Sequence, residues 1–284
     1  MVVKRIFSLD IVLSYCRLAV IGFNRERQSM INFKRLLSTD SPKAVKSIKY
    51  GFLNGIHYMA AYTEAGVGNM CVDATQGCIW VCLGKYSGQA AMVADLENDT
   101  NSVRESRINK AIMFMKQREV YMAHLEKAIS RLVAKAYAND LIPCVRLNGS
   151  TDIAFERMRY GKDRKTLVER FPNVQFVEYT KSLNRMMDSY KYDNLHFTFS
   201  RSESNEDSCL KVLAAGYNVA IVFGGPLPET WNGYRVIDGD KHDLRHLDDK
   251  NVVVGLSPKG LKAKRDTSGF VLRDYVEYPM AMAA

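Results

Sequence analysis

The sequence predicts an α/β protein built on a parallel sheet, and three observations predict it. Past residue 139, apolar runs at residues 142–147, 174–179, 195–199, 217–223, 234–237 and 252–256 each have the length of a buried strand. Helix-like stretches at residues 161–171, 183–190 and 206–215 separate the first four runs, the alternation of successive βαβ units. Polar residues rather than tight turns follow the runs, and parallel sheets bind ligands in the crevice at their strand carboxyl ends.

The amino-terminal end differs from the rest in charge. Of a net charge of +9, residues 1–50 hold ten Lys/Arg against three Asp/Glu, so the remaining chain is close to balanced. Residues 1–42 therefore read as a basic extension, and residues 1–50 are the part suited to a nucleic-acid partner. Met30 opens a second plausible start, so residues 1–29 are expected to be dispensable to a single domain over residues 43–284. The apolar run at residues 11–23 is short, split by Arg17 and followed by no small-residue cleavage site. No membrane association is expected, and localisation is expected to be cytoplasmic. Six unevenly spaced cysteines in 284 residues do not make a disulfide framework and are expected to be reduced.

Residues 50–64 alternate Gly, Tyr, Phe and Ile, which predicts a hairpin or a pair of short strands leading into the cysteines. After them Ser102 is placed to cap a long helix. Ile108, Ile112, Met115, Leu125, Ile129, Leu132 and Ala136 form its buried stripe, as one helix or as two broken near Arg118.

Cys71, Cys78 and Cys82 fall within twelve residues. Intervals of six and three residues let a loop carry the first sulfur while the last two sit about one turn apart on a helix or tight turn. Thiolates suit iron–sulfur or zinc centres. Structural zinc favours four ligands with C-x2-C spacing, absent here, whereas three local cysteines match a four-iron (4Fe-4S) cluster with one open iron. A fourth ligand would come from Cys16, Cys144, His57 or His242; the alternative for all three thiols is burial as small apolar side chains. Cys16, Cys144 and Cys209 read as core residues.

The strand ends supply the other candidates. Arg146, Asn148 and Asp152 follow the first run, Tyr179 and Lys181 the second, Ser200 and Glu203 the third, and Asp238, Asp240, His242 and Asp243 the fifth. Arg146 and Lys181 could grip an anionic ligand, unless Arg146 is paired internally with Asp152. The acidic group at Asp238 could hold magnesium for a metal-dependent nuclease or form an ordinary Asp-Gly-Asp turn. The chain has no Walker loop, strand-linked G-x-G-x-x-G or nucleophile elbow to support nucleotide hydrolysis, dinucleotide binding or α/β-hydrolase chemistry.

These residues resemble the gene product 88 family of bacteriophage proteins and its relatives, over residues 43–271. The likeness rests on residues 46–51, the three cysteines, residues 145–152, 179–181, 200–205 and 236–240. More distantly the chain is similar to the radical S-adenosylmethionine superfamily, although its C-x6-C-x3-C spacing departs from that superfamily's C-x3-C-x2-C. The resemblance implies a partial or complete parallel βα barrel, a cluster on the three cysteines and S-adenosylmethionine or another small anionic ligand at the strand carboxyl ends. The rival expectation is a nucleic-acid-binding accessory protein of phage replication, its zinc or cluster structural. Whether the chain is an enzyme is left open by its residues.

Overall fold

The computed structural model describes residues 35–275. Most of the basic extension, Cys16 and the boundary at Met30 lie outside the described residues. In chain order, β1 (Leu37–Ser38), α1 (Pro42–Ser47) and β2 (Phe52–His57) precede the cysteine segment, which carries α2 (Gln76–Trp80) and α3 (Leu83–Tyr86). The long pair α4 (Ser102–Lys116) and α5 (Arg118–Tyr137) leads to β3 (Ile142–Arg146). Then come α6 (Leu167–Arg170), β4 (Gln175–Thr180), α7 (Leu183–Met187), β5 (Leu195–Ser200), α8 (Glu206–Ala214), β6 (Val219–Val222), β7 (Thr230–Trp231), β8 (Tyr234–Asp238), β9 (Val253–Leu256) and α9 (Gly260–Lys264).

The described strands form one sheet in the order β1-β2-β3-β4-β5-β6-β9-β8-β7. From β2 to β8 every neighbouring pair is parallel; β1 on β2 and β7 on β8 are antiparallel. The sheet is open, with β1 and β7 as its edges, so the complete barrel is corrected to a mostly parallel open sheet. Each edge strand is two residues long, too short to offer the other a ladder that would close the ring.

Two local expectations also change. Residues 50–64 hold one strand, β2, because all six of its residues are buried and it pairs with β1 and β3 instead of folding on itself. β1 itself lies within the stretch read as extension. The helix expected over residues 161–171 shrinks to the four residues of α6. Gly161 and Arg164 have φ of 69° and 51°, and a bridge joins Tyr160 to Lys165, so a turn takes up the first half. Gln117 interrupts the long helix, and Asn101 rather than Ser102 caps it, accepting from the Val103 and Arg104 amides.

The main core lies between the helices and one face of the sheet, where Leu53, Val145, Phe176 and Phe197 meet Leu125, Ile129 and Leu132 of α5. At Gly55 a Cβ would stand 2.9 Å from Leu132, so the glycine lets α5 approach β2 closely. On the opposite face Phe52, Cys144 and Val177 form a separate cluster closed by Leu244. Leu244 belongs to residues 239–252, the connection from β8 to β9, which folds across that face as a strap. No helix among the described residues is long and apolar enough to cross a membrane.

Candidate functional site

The cysteine segment is anchored at its middle by a carboxylate from the loop after β5. Thr75 caps α2 by accepting from the Cys78 amide at 3.3 Å, and donates its own hydroxyl to Glu203 Oε2 at 2.7 Å. The Gly77 amide donates to Glu203 Oε1, also at 2.7 Å. A Cβ on Gly77 would lie 2.5 Å from Ser268 Oγ and 2.7 Å from Glu203 Oε2, so the clamp requires glycine there. Glu203, just past β5, thereby ties Cys78 to the carboxyl end of the sheet.

The three cysteines lie within electrostatic reach of one another. Cys71 Sγ accepts the Tyr62 amide at 3.4 Å, and burial pushes its thiol up to about 12, with Cys82, Asp152 and Cys78 adding negative charge nearby. Cys82 precedes α3; burial raises its thiol too, followed by the charge of Cys78. Burial of Lys181 acts to lower its ammonium, but Cys78, Asp152 and a hydrogen bond to Cys78 outweigh it and raise it. Lys181 Nζ also donates to Ser200 Oγ at 3.3 Å and stands 5.5 Å from the Phe270 ring.

Asp152 sits beside them as a structural acceptor. It takes the Lys181 amide at 2.9 Å, the Thr180 hydroxyl at 3.3 Å and the Arg185 guanidinium, which is held in turn by Glu156. Asn148 organises the preceding loop, accepting from Thr151 Oγ1 and the Ile153 amide and donating to the Ile153 carbonyl. Cys71, Cys78, Cys82, Asp152, Lys181, Ser200 and Glu203 thus gather at the carboxyl ends of β3 to β5.

The remaining candidates lie under or within the strap. Arg146 Nη1 meets Asp243 Oδ2 at 3.0 Å, and its guanidinium stacks 4.5 Å from the Tyr179 ring centroid. Its partner is therefore Asp243, not Asp152. Burial opposes ionisation of Asp243, yet Arg146 and Lys43 hold its carboxyl well below the usual range. Asp240 is bound by Lys259 at 3.0 Å and lies 3.7 Å from Lys43, while Asp238 Oδ1 accepts the Asp240 amide. His242 Nδ1 accepts the Leu244 amide, and its ring packs edge-on against Tyr50. Lys43 and Lys46 of the basic end are turned onto this strap, Lys46 donating to the Asp240 carbonyl at 2.8 Å.

The arrangement offers three half-buried thiols with a lysine against one of them. In number and softness they fit a thiolate-held metal or cluster. Among the described residues no three His, Cys, Asp or Glu side chains are already disposed to hold a metal ion. Of the expected fourth ligands, Cys144 packs with Phe52, Val177 and Leu244, and both ring nitrogens of His57 are engaged by Leu147 and Tyr121. His242 belongs to the strap.

Thr75, Glu178 and Arg185 were not singled out in the sequence. Thr75 could have been found as a cap residue before Gln-Gly-Cys. Glu178, which accepts the Leu147 and Asn148 amides at 2.6 and 3.1 Å, has no such signal, because it sits inside an apolar run.

No curated protein and no solved structure matches this chain, and the radical S-adenosylmethionine likeness finds no support in the comparisons. A sequence model described as Gene product 88 matches residues 32–274, which takes in every described strand, the three cysteines and the strap. The chain belongs to the Gene product 88 family.

Proposed function

We propose that the protein holds a metal centre, a four-iron cluster, on Cys71, Cys78 and Cys82, and binds a small anionic ligand beside it. What supports this most is that three half-buried thiols lie within electrostatic reach of one another and of Lys181, with Cys78 seated by the Thr75–Glu203 clamp and Lys181 on Ser200 at the carboxyl edge of parallel strands. The sulfurs are not at ligand distances as they stand, so loading requires them to close on the centre. On this reading the sequential strands β2 to β6 are a partial βα barrel. A cluster held by three cysteines leaves one iron open to a ligand and supplies one-electron chemistry.

The chain's own residues have separable tasks. Glu203 and Thr75 fix the backbone around Cys78, and Asp152, itself held by Arg185, accepts the Lys181 amide. Lys181 places a cation beside the thiols, where it offsets their accumulated negative charge and attracts a carboxylate or phosphate. S-adenosylmethionine, with its carboxylate, is the first ligand to test.

The test is protein purified without oxygen, assayed for iron, sulfide, zinc and visible absorption, beside Cys78→Ser. Brown protein whose absorption and iron are lost in the variant supports the reading. Zinc in place of iron assigns the thiols a structural metal, and folded protein free of both removes the proposal.

A further inference from the structure

Lys262 of α9 is held in a box of two aromatic rings and a carboxylate. Its ammonium stands 3.9 Å from the ring centroid of Trp80, at the end of α2, and 3.9 Å from that of Tyr86, at the end of α3. Glu97 closes the box: one of its oxygens meets the Lys262 ammonium and the other accepts the Tyr86 hydroxyl at 2.7 Å. Lys85 stands farther from the same carboxylate, at 3.9 Å. The bond from Lys262, and after it the bond from Tyr86, hold the Glu97 carboxyl below its ordinary range. Only 13% of the Lys262 side chain reaches solvent, although Trp80 is 55% exposed. Both the ring faces and the anion attract the ammonium, so the box fixes it from three sides.

The stretch fastened by this box packs on residues that flank two of the three cysteines. Ala263 shares a buried cluster with Val81, the residue before Cys82, and with Val271. A Cβ on Gly77, the residue before Cys78, would stand 2.5 Å from Ser268 Oγ. Phe270 then lies 5.5 Å from the Lys181 ammonium. The two ends of the stretch are fixed differently. Residues 268–272 are bound to the sheet: the Leu272 amide donates to Val222, the Gly224 amide donates to Leu272, and Arg201 Nη1 donates to the Gly269 and Phe270 carbonyls. α9 has no such ladder, and five residues are too few for a helix that is stable by itself. Its one buried residue is the small Ala263, Arg273 donates to the Lys264 carbonyl at its far end, and Lys262 makes its one ion pair among the described residues. Lys262 is therefore the main tie between α9 and the cysteine segment.

We propose that α9 is a lid on the Cys78–Cys82 side of the cysteine segment, latched by the Lys262 ammonium between Trp80, Tyr86 and Glu97, and that release of the latch opens these two thiols to a metal donor. What the open lid admits rests on the metal centre proposed above, whereas the latch is a property of the metal-free chain, so either fails without the other. Cys71 is held elsewhere, between the Tyr62 amide and the Ser150 carbonyl, and lifting α9 leaves it as it is.

The test follows iodoacetamide labelling of the metal-free full chain, with each cysteine read separately by peptide mass spectrometry. A thiol behind a lid reacts in the open state, so its rate follows the opening equilibrium. Lys262→Met keeps the length of the side chain and removes its charge; it should speed labelling of Cys78 and Cys82 about tenfold, the loss of one to two cation–π contacts. Trp80→Leu, which removes one wall, should act in the same direction. Lys262→Arg keeps a cation against both rings and should stay within about twofold of the unchanged chain. Cys71 should keep its rate in all three variants. Cys209 of α8, fully buried in the main core, reports unfolding of the whole domain. Unchanged rates at Cys78 and Cys82 in Lys262→Met overturn the proposal. Equal acceleration of Cys71 or Cys209 means a general loosening rather than a lid and overturns it as well, whether or not the protein takes up iron.

Discussion

His57 Nε2 stands 2.7 Å from the phenolic oxygen of Tyr121, and both side chains are fully buried where β2 meets α5. The other ring nitrogen, Nδ1, lies 2.9 Å from the Leu147 carbonyl, which can only accept. The proton therefore resides on Nδ1, and Nε2 accepts from the tyrosine. This chain of bonds joins the carboxyl end of β2, the loop after β3 and the long helix behind them. Tyr121→Phe leaves Nε2 buried without a donor, at a cost of about 1–3 kcal/mol. Urea unfolding should show a lower midpoint with an unchanged slope; an unchanged midpoint would mean that water replaces the hydroxyl.

The same imidazole sets the direction of the acid response. Burial, and after it the charge of Lys110, depresses the His57 pKa from 6.5 to about 3. Above pH 6.5 the ring is neutral in both states and its contribution is complete. As pH falls from there toward 3, the unfolded chain takes up the proton first, and stability declines by up to about 1.4 kcal/mol per pH unit. Glu178 has the opposite sign: burial raises it from 4.5 to about 7, so its share is complete below 4.5 and is lost as pH rises through 7. Lys110→Met should lift the His57 pKa and move the acid limb of a stability-against-pH curve to lower pH. An identical acid limb in that variant would remove Lys110 from the account.

How far the sequence reveals this molecule depends on whether a signal is local. The runs at residues 195–199 and 252–256 fall on β5 and β9 within a residue at each end, because buried parallel strands are written as continuous apolar stretches. Closure of the sheet is not local, since it depends on whether β1 and β7 can meet. Spacing indicated that the three cysteines could face one place, and the side chains that surround them come from strand ends the motif itself does not include. Arg146 was legible as a strand-end cation, but its partner lies 97 residues away in Asp243, which only the folded strap brings to it.

The Arg146–Asp243 pair should behave as a buried ion pair does. Asp243 is inaccessible to solvent and Arg146 nearly so, so Asp243→Asn leaves a guanidinium without its counter-charge. The expected loss is about 3–5 kcal/mol. Removing both charges with Arg146→Met and Asp243→Leu should restore a large part of it, because the double change leaves no uncompensated ion. Strictly additive losses in the double-mutant cycle would show that each residue acts through other partners, with Lys43 the first to examine for Asp243.

Glu203 offers the cleanest separation of site from scaffold. Its two oxygens hold Thr75 and Gly77 on either side of the α2 cap, so Glu203→Ala removes the acceptor that fixes the backbone leading into Cys78. Because Glu203 is only partly buried, the global loss should be modest, about 1–2 kcal/mol, while Cys78 gains freedom. Alkylation of Cys78 by iodoacetamide in metal-free protein should then speed up far more than the fall in stability explains. Gly77→Ala attacks the same clamp from the opposite side, since its Cβ would collide with the Glu203 carboxylate and with Ser268. The two substitutions should therefore not add: combined, they should alkylate at nearly the rate of either alone. Additive rates would mean that the glycine is required for its own fit against Ser268, and that Glu203 positions something other than Cys78.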